Sequence, residues 1–448
     1  MNYIYVAAFT ANVISFIAAT SLTWTSPILS KLKNETDTPF SSPLSEDEAS
    51  WVSSLLPLGA VFGPFVYGFL ADWIGRKLSL MICGVPFLLS YLALAFGKAP
   101  WIYYAARFLI GTSVGGVFTV IPMYVGEIAQ DSNRGALGSS MNCFLCTGLL
   151  FSYAVGPYVS ILVFNLILAV FPVIFLVLFF LLAPESPHFY AIKERNADAK
   201  TALHKIRSGG NEVIEEELNE MHAKIKEDGH ANFFDIFRSK GLTKAFFISV
   251  GLIAFQQFSG INVVLFFAQI LFEQAGTTLE PEICSIIIGC TQFITSFVTP
   301  LVVDRLGRKI LLLISAVGMA ISEFPLGLYS YLKDDNKDVS SISFLPILCL
   351  IGYIITYNSA FGPLPWAMMG ELFPANVKSS ASAVTSAFCW FLGFLITKYF
   401  QSISDSIGMG PSFWIFASCC VVAIPFSFLY VIETKGKSLK EIQTILSS

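Results

Sequence analysis

Twelve long apolar runs constrain this chain more than any other feature of its sequence. A transmembrane helix needs about 20 mostly apolar residues to cross roughly 30 Å of hydrocarbon. The runs are long enough for that, and a polar stretch separates the first six from the last six. The predicted spans lie near residues 4–27, 50–70, 79–97, 101–126, 135–156, 160–183, 243–272, 282–303, 310–332, 343–370, 379–402 and 411–432.

The composition supports a location in the membrane. Hydrophobic residues make up 55% of the chain and charged residues 13%, with a mean hydropathy of +0.68. Soluble globular chains carry about 25% charged residues. Closed β-barrels also span membranes, but their segments are about 10 residues long and alternate in polarity. The sequence therefore predicts an all-α, multi-pass protein in contact with the lipid bilayer, and we expect no nucleic-acid partner.

Three pairs of motifs repeat in the same order on either side of the polar stretch. The hexapeptides DWIGRK (72–77) and DRLGRK (304–309) each lie between two apolar runs. GEIAQDSNR (126–134) and GELFPANVK (370–378) each place a basic residue seven positions after a glutamate. PESP follows the sixth run, and ETKG follows the twelfth. Internal repeats of this kind place a substrate site between two halves, near the bilayer midplane.

The repeats divide the chain into two six-helix halves joined by a helical linker. We expect an N-terminal half over 1–184, a linker over 185–241, a C-terminal half over 242–432 and a tail over 433–448. Apolar residues recur at helical spacing within 213–225, which predicts an amphipathic helix in the linker. The simplest interpretation of its charged residues is that they form the solvent-exposed face of the helix.

The distribution of basic residues predicts how the chain is oriented. Most of the 27 Lys and Arg fall on one side if the N-terminus lies inside. Cytoplasmic loops carry an excess of these residues, so both termini are predicted to be cytoplasmic, and we expect the plasma membrane. The loop over 28–49 then faces outward, and its tripeptide NET makes Asn34 a candidate glycosylation site.

The cysteines do not suggest a redox or metal site. All nine lie in or at predicted spans. CFLC (143–146) has CxxC spacing, but its apolar, helical surroundings favour small packing residues. We expect no metal, no cofactor and no structural disulfide. The sequence contains no evident nucleophile–base pair or phosphate-binding loop, so we do not expect an enzyme.

Two glutamates are predicted where the helix dipole disfavours them. Glu127 and Glu371 lie at helix C-termini, which already carry partial negative charge. Charge pairs partly excluded from water can be worth more than exposed ones, and they could hold the helix ends together in one conformational state. The alternative is that these charges only fix the topology. The basic residues that could offset them on the same membrane face are Arg76, Arg134, Arg308 and Lys378.

Short motifs spread over nearly the whole chain carry a family resemblance. In order, they are DWIGRK, RFLIG (107–111), PMYVGEIA (122–129), RGALG (134–138), PESP, QQFSGIN (256–262), DRLGRK, GPLPW (362–366), GELFP and ETKGKSLKEI (433–442). With these motifs the sequence resembles the sugar porter family of the major facilitator superfamily. WTSP (24–27) and EDEASWVSSLLPLGA (46–60) resemble, more narrowly, the insect-type facilitated trehalose transporters.

The resemblance implies a mechanism and further functional residues. It implies a twelve-helix fold that alternates between inward-facing and outward-facing states. Asp72 and Asp304 of the hexapeptides would then take part in gating, and Glu185 and Glu433 would anchor a cytoplasmic helical linker that latches the halves. The implied partners are a small neutral sugar and the bilayer, with no obligatory protein partner.

A sugar is a neutral polyol, so its site needs amides that both donate and accept hydrogen bonds, with aromatic faces beside them. In the seventh span, Gln256, Gln257 and Asn262 supply three amides around Ser259-Gly260. That dipeptide weakens the helix, and freed backbone groups are tolerated in a membrane where they line a cavity or are buried. The alternative is a set of structural amide contacts between helices.

Aromatic residues complete the predicted site. Pro363 and Pro365 each remove a backbone donor, so the tenth span must bend or break beside Trp366. The tryptophan ring face and N–H could then meet substrate. The resemblance implies further substrate contacts at Trp390, Gln292 and Asn142.

Several positions depart from the family pattern and put the identity of the sugar in doubt. An aromatic pair after the seventh-span Asn lacks its usual Tyr hydroxyl. The departures are Phe266 and Phe267, Asn142 in place of Gln, Cys389 in place of Asn, His188 in place of Arg, and Ile432 in place of Pro.

Three function classes follow from these residues. A facilitator (uniporter) of a hexose or disaccharide, such as glucose or trehalose, is the first. A proton–sugar symporter needs a titratable group near the midplane, but Thr20 stands where proton-coupled family members carry Asp. Glu323 is the carboxylate that lies well inside a predicted span. A sugar receptor that no longer transports is the third class. Transport of organic anions would need cations at the site, and Arg107 is the only cation well inside a predicted span.

Overall fold

The computed structural model describes residues 3–130, 133–207, 210–228, 233–437 and 439–447. The regular secondary structure of these residues is helical, with no strand. The helices before the linker are α1 (Tyr3–Thr23), α2 (Thr25–Leu32), α3 (Glu46–Ile74), α4 (Arg76–Phe96), α5 (Pro100–Ile128), α6 (Arg134–Val155) and α7 (Ile161–Leu182). The linker helices are α8 (Pro187–Ile192), α9 (Asn196–Ile206) and α10 (Asn211–Asp228).

The helices after the linker repeat the same general order. They are α11 (Lys240–Phe258), α12 (Ile261–Ala275), α13 (Pro281–Leu306), α14 (Arg308–Asp334), α15 (Leu345–Ser359), α16 (Leu364–Leu372), α17 (Ala375–Ile407), α18 (Met409–Leu429) and α19 (Leu439–Ser447).

The twelve predicted spans all correspond to helices. Within the described residues, eleven helical segments are long and apolar enough to cross a membrane, and three of them consist of two consecutive helices. The twelfth is α13, a 26-residue helix whose apolar stretch is described over Pro281–Phe297. The predicted all-α, twelve-span class is therefore confirmed.

The second span begins earlier than its apolar run. We predicted its start near residue 50, but α3 begins at Glu46 because Ser45 caps it. Ser45 Oγ accepts a hydrogen bond from the Glu48 backbone N–H, and Glu48 Oε2 accepts one from the Ser45 backbone N–H at 2.9 Å. This capping box satisfies helix N–H groups that the apolar pattern does not reveal.

Helices α3 and α5 approach each other at glycines. A Cβ added at Gly59 would lie 2.1 Å from the Phe108 carbonyl oxygen, and one at Gly111 would lie 2.1 Å from the Leu56 carbonyl oxygen. Small residues let helix backbones come close in membranes, where van der Waals contact rather than the hydrophobic effect drives association. The first helices of the bundle are thus held at backbone contact.

The two hexapeptides make tight turns at one end of the bundle, which we call the hexapeptide end. Gly75 has φ of +105° and Gly307 has φ of +87°, a region that glycine alone enters readily. Each turn lets one span end and the next begin without a longer loop. The other end, which carries residues 33–45, is called the opposite end.

The two helix sets bond directly at the opposite end. Lys398 Nζ on α17 lies 2.6 Å from Asp47 Oδ1 on α3, and it donates to Ser50 Oγ at 2.7 Å. Ser30 Oγ donates to Glu273 Oε1 at 3.0 Å. These contacts join segments before the linker to segments after it, so the bundle is closed at the opposite end.

The linker helices form a small core of their own. Ile214 and Leu218 of α10 are buried against α8 and α9, and Met221 lies beside them. Val213 was predicted on the same face, but it is 56% exposed because Ile214 takes the inward position. Arg207 ties this core to the bundle, since its Nη1 donates to the Ile128 carbonyl oxygen at the end of α5 at 2.8 Å.

Candidate functional site

The predicted weak point of the seventh span is a helix break. Helix α11 ends at Phe258 and α12 begins at Ile261. Between them Gly260 has φ of +79°, and a Cβ there would lie 2.8 Å from the Phe416 ring. Ser259 Oγ donates to the Gln256 carbonyl oxygen at 2.7 Å and lies 2.9 Å from Tyr353 Oη. The side-chain hydroxyls therefore bond to backbone and to each other where the helix opens.

Two of the three predicted amides bond to each other across this break. Asn262 Nδ2 donates to Gln257 Oε1, and Gln257 Nε2 donates to Cys389 Sγ on α17 at 3.0 Å. Gly393, one turn further along α17, leaves room for the pair, because a Cβ there would lie 2.9 Å from Asn262 Nδ2. A thiol is a weak acceptor, so the Gln257 amide is held less firmly than it would be by another amide.

The third amide joins the two helix breaks. Gln256 Nε2 donates to the carbonyl oxygens of Phe361 and Gly362, each at 2.7 Å. Those carbonyls lie between α15 and α16, where the predicted break of the tenth span is also confirmed. In this state Gln256 supplies hydrogen bonds to carbonyl oxygens that the helix break has left without helical partners. The sequence did not predict these bonds.

The predicted tryptophans meet an aromatic ring from the other helix set. Phe118 on α5 lies 5.9 Å from the Trp366 ring and 5.4 Å from the Trp390 ring, the latter edge-to-face. Trp390 is 7% exposed, and its Nε1 is buried without a hydrogen-bond partner among the described residues. Phe118 was not predicted, because one phenylalanine on an apolar helix carries no distinguishing pattern.

Gln292 and Asn142 lie on facing helices. Gly289 of α13 contacts Leu150 of α6, and Gln292 and Asn142 follow on these two helices toward the hexapeptide end. Gln292 is 3% exposed, and its Oε1 has no partner among the described residues. Asn142 is half-buried. The two amides therefore stand on opposite sides of the contact between the helix sets.

Among the family departures around the site, the aromatic pair and Cys389 are apolar or weakly polar. Phe266 and Phe267 are buried, and Phe267 stacks on Phe400 with centroids 6.1 Å apart. Neither ring offers a hydroxyl to a ligand. This part of the site therefore presents apolar ring faces where the family pattern has a hydroxyl.

At the hexapeptide end, the first set of predicted gating residues forms one cluster. Arg76 donates through Nε and Nη2 to Glu127, with Nη2 at 2.9 Å from Oε1. Glu185 Oε1 accepts the Arg76 backbone N–H at 2.9 Å, at the start of α4. Ser186 Oγ donates to Glu127 Oε2, and Asp72 Oδ1 lies 3.3 Å from Arg76 Nη1. The cluster ties α3, α4, α5 and the start of the linker together.

The second set repeats this arrangement. Arg308 Nη2 donates to Glu371 Oε1 at 3.0 Å, and Glu433 Oε1 accepts the Arg308 backbone N–H at 3.0 Å. Thr434 Oγ1 donates to Glu371 Oε2, as Ser186 does to Glu127. Lys378 Nζ donates to the Gly370 carbonyl oxygen at 3.2 Å.

The ion pairs described at this end stay within one helix set. The pair of Arg76 with Glu127 lies before the linker, and that of Arg308 with Glu371 lies after it. The side chains of Arg134 and Asp304, which were also predicted to take part in gating, lie outside the described residues.

The two equivalent carboxylates that cap α4 and α14 differ in electrostatics. Burial raises the pKa of Glu185, although the backbone N–H groups of Ser186, Lys77 and Arg76 oppose that effect. Burial also acts to raise the pKa of Glu433, but backbone N–H groups outweigh it and the pKa is lowered. The end of the second helix set is thus the more favourable place for negative charge.

Three buried polar groups inside the spans, at Thr20, Arg107 and Glu323, bond within one helix set. Thr20 Oγ1 lies 3.0 Å from Tyr91 Oη. Arg107 Nη1 donates to the Ser21 carbonyl oxygen at 2.7 Å. Glu323 Oε2 accepts a hydrogen bond from Cys420 Sγ at 3.5 Å between α14 and α18. Glu323 is therefore bonded within the second helix set rather than to a residue of the first.

The predicted glycosylation acceptor is accessible. Asn34 is exposed in the loop after α2, and its Oδ1 accepts hydrogen bonds from Thr36 N and Thr36 Oγ1 at 3.0 and 2.9 Å. All nine cysteines are free, and the described residues contain no group of three or more His, Cys, Asp or Glu that could hold a metal ion.

The architecture matches solved transporter structures. The partially occluded inward-open conformation of the xylose transporter XylE from E. coli aligns with a TM-score of 0.83 at 24% identity, covering 98% of this chain and 100% of that one. The proton:xylose symporter XylE bound to 6-bromo-6-deoxy-D-glucose aligns with a TM-score of 0.81 at 24% identity, covering 100% of each chain. The fold is that of the major facilitator superfamily.

The sequence comparison gives the family. The family described as "Sugar (and other) transporter" matches residues 5–446, and the chain belongs to it. Among similar curated proteins, the facilitated trehalose transporter Tret1 of Bombyx mori is 37% identical over 444 residues, covering 99% of this chain and 86% of its own. Tret1 of Polypedilum vanderplanki is 36% identical over 447 residues, covering 98% of this chain and 88% of its own.

Proposed function

We propose that this protein is a facilitator that equilibrates a small neutral sugar across a membrane by alternating access. The observation that carries the proposal is the contact between the helix sets, where Gln292 Oε1 and Trp390 Nε1 are buried with no hydrogen-bond partner among the residues that the structure describes. A buried polar atom costs free energy unless it is bonded. Sugar hydroxyls supply the donor and the acceptor that these two atoms need.

The proposed substrate contacts combine these atoms with their neighbours. The amides of Gln256, Gln257 and Asn262 and the ring of Trp366 surround the two helix breaks. Asn142 would reach the same space from the facing helix. The relatives named facilitated trehalose transporters make trehalose the first sugar to test, with glucose second.

The proposed domains move as two bodies. Residues 1–184 and 242–432 would form the halves, with 185–241 as the linker and 433–448 as the tail. The bonds from Lys398 to Asp47 and from Ser30 to Glu273 close the opposite end, so this state opens toward the hexapeptide end. Transport then requires those bonds to break and the hexapeptide end to close.

The charge clusters are the proposed gate. In the state described, Arg76 is satisfied by Glu127, and Arg308 by Glu371. In the alternate state, Arg134 and Lys378 would compete for the same glutamates across the halves. Exchange of cations between equivalent acids keeps the charges paired in both states, which lowers the barrier between them.

We propose that the hexapeptide end is cytoplasmic and that Asn34 faces outward at the plasma membrane. The excess of Lys and Arg near the hexapeptides supports that orientation, and Asn34 lies at the opposite end in an exposed turn. We propose no obligatory protein partner and no enzymatic activity.

A proton symporter is the second candidate. It requires a carboxylate that faces the substrate path, and Glu323 is the buried acid that could supply one. Its partner Cys420 lies on α18, within the same helix set, which favours the facilitator. A receptor without transport would keep the site and lose the exchange between states.

Reconstituted protein tests the proposal. Proteoliposomes loaded with unlabelled trehalose should take up labelled trehalose by counterflow, and Trp390→Ala should abolish most of that uptake. Trp414→Ala, which removes an indole at the opposite end stacked on Phe324, is the matched control. Absence of counterflow with trehalose, glucose and a panel of other neutral sugars, with the protein correctly folded, would contradict transport and leave the receptor.

A further inference from the structure

A cavity of about 460 Å³ lies at the hexapeptide end, apart from the proposed sugar site. The start of α14, the segment from α16 into α17 and the tail line it, and it is open to the surface. Its chemistry is set by three cations, Arg308, Lys378 and Lys437, together with Glu371 and Thr434. A neutral sugar has no use for such a concentration of positive charge.

The carboxylate in the lining does not neutralise the cavity. Glu371 already accepts hydrogen bonds from Arg308 Nη2 and Thr434 Oγ1. Arg308 Nε is buried and has no hydrogen-bond partner among the described residues. Lys437 is exposed at the rim. The lining thus contains three cations and one carboxylate, and that carboxylate already accepts two hydrogen bonds.

The equivalent position in the first helix set provides an internal comparison. There Arg76 directs both Nε and Nη2 to Glu127, and His188 Nδ1 approaches the same carboxylate at 3.7 Å. Helix α8 begins at this point, and its Phe189 ring centroid lies 5.5 Å from the Arg76 guanidinium carbon. In the second set, Gly436 stands where His188 stands in the first, and a Cβ added there would meet nothing within 4 Å.

The difference between these equivalent clusters points to a ligand. Arg76 of the first cluster donates through Nε, Nη1 and Nη2, whereas Arg308 of the second has an Nε with no partner among the described residues, beside two lysines. The lowered pKa of Glu433, next to the same cavity, agrees with an environment that favours anions.

We propose that this cavity binds a phosphate group, carried either by a soluble phosphomonoester or by an anionic lipid headgroup. Guanidinium and ammonium groups bind phosphate oxygens through charge-assisted hydrogen bonds. The bound group joins α14, the start of α17 and the tail, through Arg308, Lys378 and Lys437. It therefore links the proposed gate of the second half to the segment that follows the last span.

The test uses the full chain in nanodiscs, with the unfolding midpoint Tm as the readout. A ligand that binds the folded state raises Tm with its concentration. One arm adds inorganic phosphate to phosphatidylcholine nanodiscs, with sodium chloride at equal ionic strength as the salt control. The other arm replaces part of the phosphatidylcholine with phosphatidic acid and adds no phosphate.

The variants remove one ligand contact at a time. Lys437→Gln deletes a cation at the rim, and Arg308→Lys keeps the charge while deleting the free Nε. Lys440→Gln is the matched control, because this lysine is exposed on α19 outside the lining. We expect Lys437→Gln to raise the half-saturating phosphate concentration about tenfold, the loss of roughly one charge-assisted hydrogen bond.

Each outcome decides the proposal. A saturable rise of Tm with inorganic phosphate, weakened by Lys437→Gln and Arg308→Lys but not by Lys440→Gln, supports the site with a soluble ligand. A rise only with phosphatidic acid, weakened by the same two variants, supports it with a lipid ligand. No rise in either arm, or a rise that both variants leave unchanged, overturns it.

Discussion

Gln292 and Gln256 are both buried glutamines of the proposed site, but their bonding differs. Gln256 donates its amide N–H groups to the carbonyl oxygens of Phe361 and Gly362. Gln292 leaves Oε1 without a partner among the described residues. The same side chain is thus tied to the fold at one position and available to a ligand at the other.

Replacing Gln292 should therefore affect binding more than folding. We expect Gln292→Ala to weaken sugar binding by about 1–3 kcal/mol, the cost of a lost hydrogen bond with its partner left unpaired, or roughly five-fold to a hundred-fold in Kd. Half-saturation of labelled-sugar uptake measures it. The control Gln401→Ala, which replaces a half-buried glutamine bonded to Asp405, should bind sugar normally. Equal half-saturation in both variants would remove Gln292 from the site.

The sequence predicts candidate site residues, but it does not predict which residues they contact. The amides at 256, 257 and 262 and the tryptophans at 366 and 390 follow from residue type and family motif. The contact of both tryptophans with Phe118 and the bond from Gln256 to the second helix break do not. Those contacts join residues far apart in the chain, and a local pattern carries no information about them.

At the scale of elements, the close approach of α3 and α5 depends on glycine. A Cβ at position 111 would lie only 2.1 Å from the carbonyl oxygen of Leu56, which is too close for two atoms that are not bonded. The helices must separate if that position carries a side chain, because a backbone oxygen cannot rotate aside.

We expect Gly111→Ala to destabilise the protein by about 1–3 kcal/mol, the usual cost of overpacking a buried contact. Gly126→Ala, on the same helix, is the control because a Cβ there meets nothing within 4 Å. The Tm in detergent, followed by circular dichroism, distinguishes them. An equal Tm for the two variants would mean that the packing of α3 against α5 tolerates a side chain at position 111.

The helix breaks were predicted from the sequence, but the start of α3 was not. The breaks at Ser259-Gly260 and at Pro363 were expected, because backbone freedom and the missing N–H are properties of the residue itself. The early start of α3 was missed because the Ser45–Glu48 capping box lies in a polar segment outside the apolar run. Hydrophobic length predicts where a membrane helix crosses, and capping determines where it begins.

At the scale of the whole molecule, one lysine joins the two helix sets at the opposite end. The Lys398 side chain is 10% exposed, bonds to Asp47 and Ser50, and lies 4.1 Å from the Trp51 ring centroid. Its partners lie about three-quarters of the chain away in sequence. Closure of the opposite end in this state therefore depends on a contact between the halves.

Removing this lysine should favour the state that is open at the opposite end. We expect Lys398→Ala to shift the equilibrium by about 1.5–3 kcal/mol, or at least tenfold, the worth of its buried charge-assisted hydrogen bond to Ser50, because the pair with the exposed Asp47 adds little. Distance measurements between spin labels on α3 and α17 at that end report the shift. Lys33→Ala breaks the pair with Glu46 within one half and should leave the distances unchanged. Unchanged distances in Lys398→Ala would contradict the latch.

The central claim is that this protein equilibrates sugar without energy coupling. A proton gradient of one pH unit supplies about 1.4 kcal/mol per proton, enough for a symporter to accumulate sugar about tenfold. Proteoliposomes given an inward proton gradient should fill with labelled trehalose, or with the sugar found to be transported, only to the external concentration. Accumulation above that level, lost in Glu323→Gln, would contradict the facilitator and make Glu323 the coupling site.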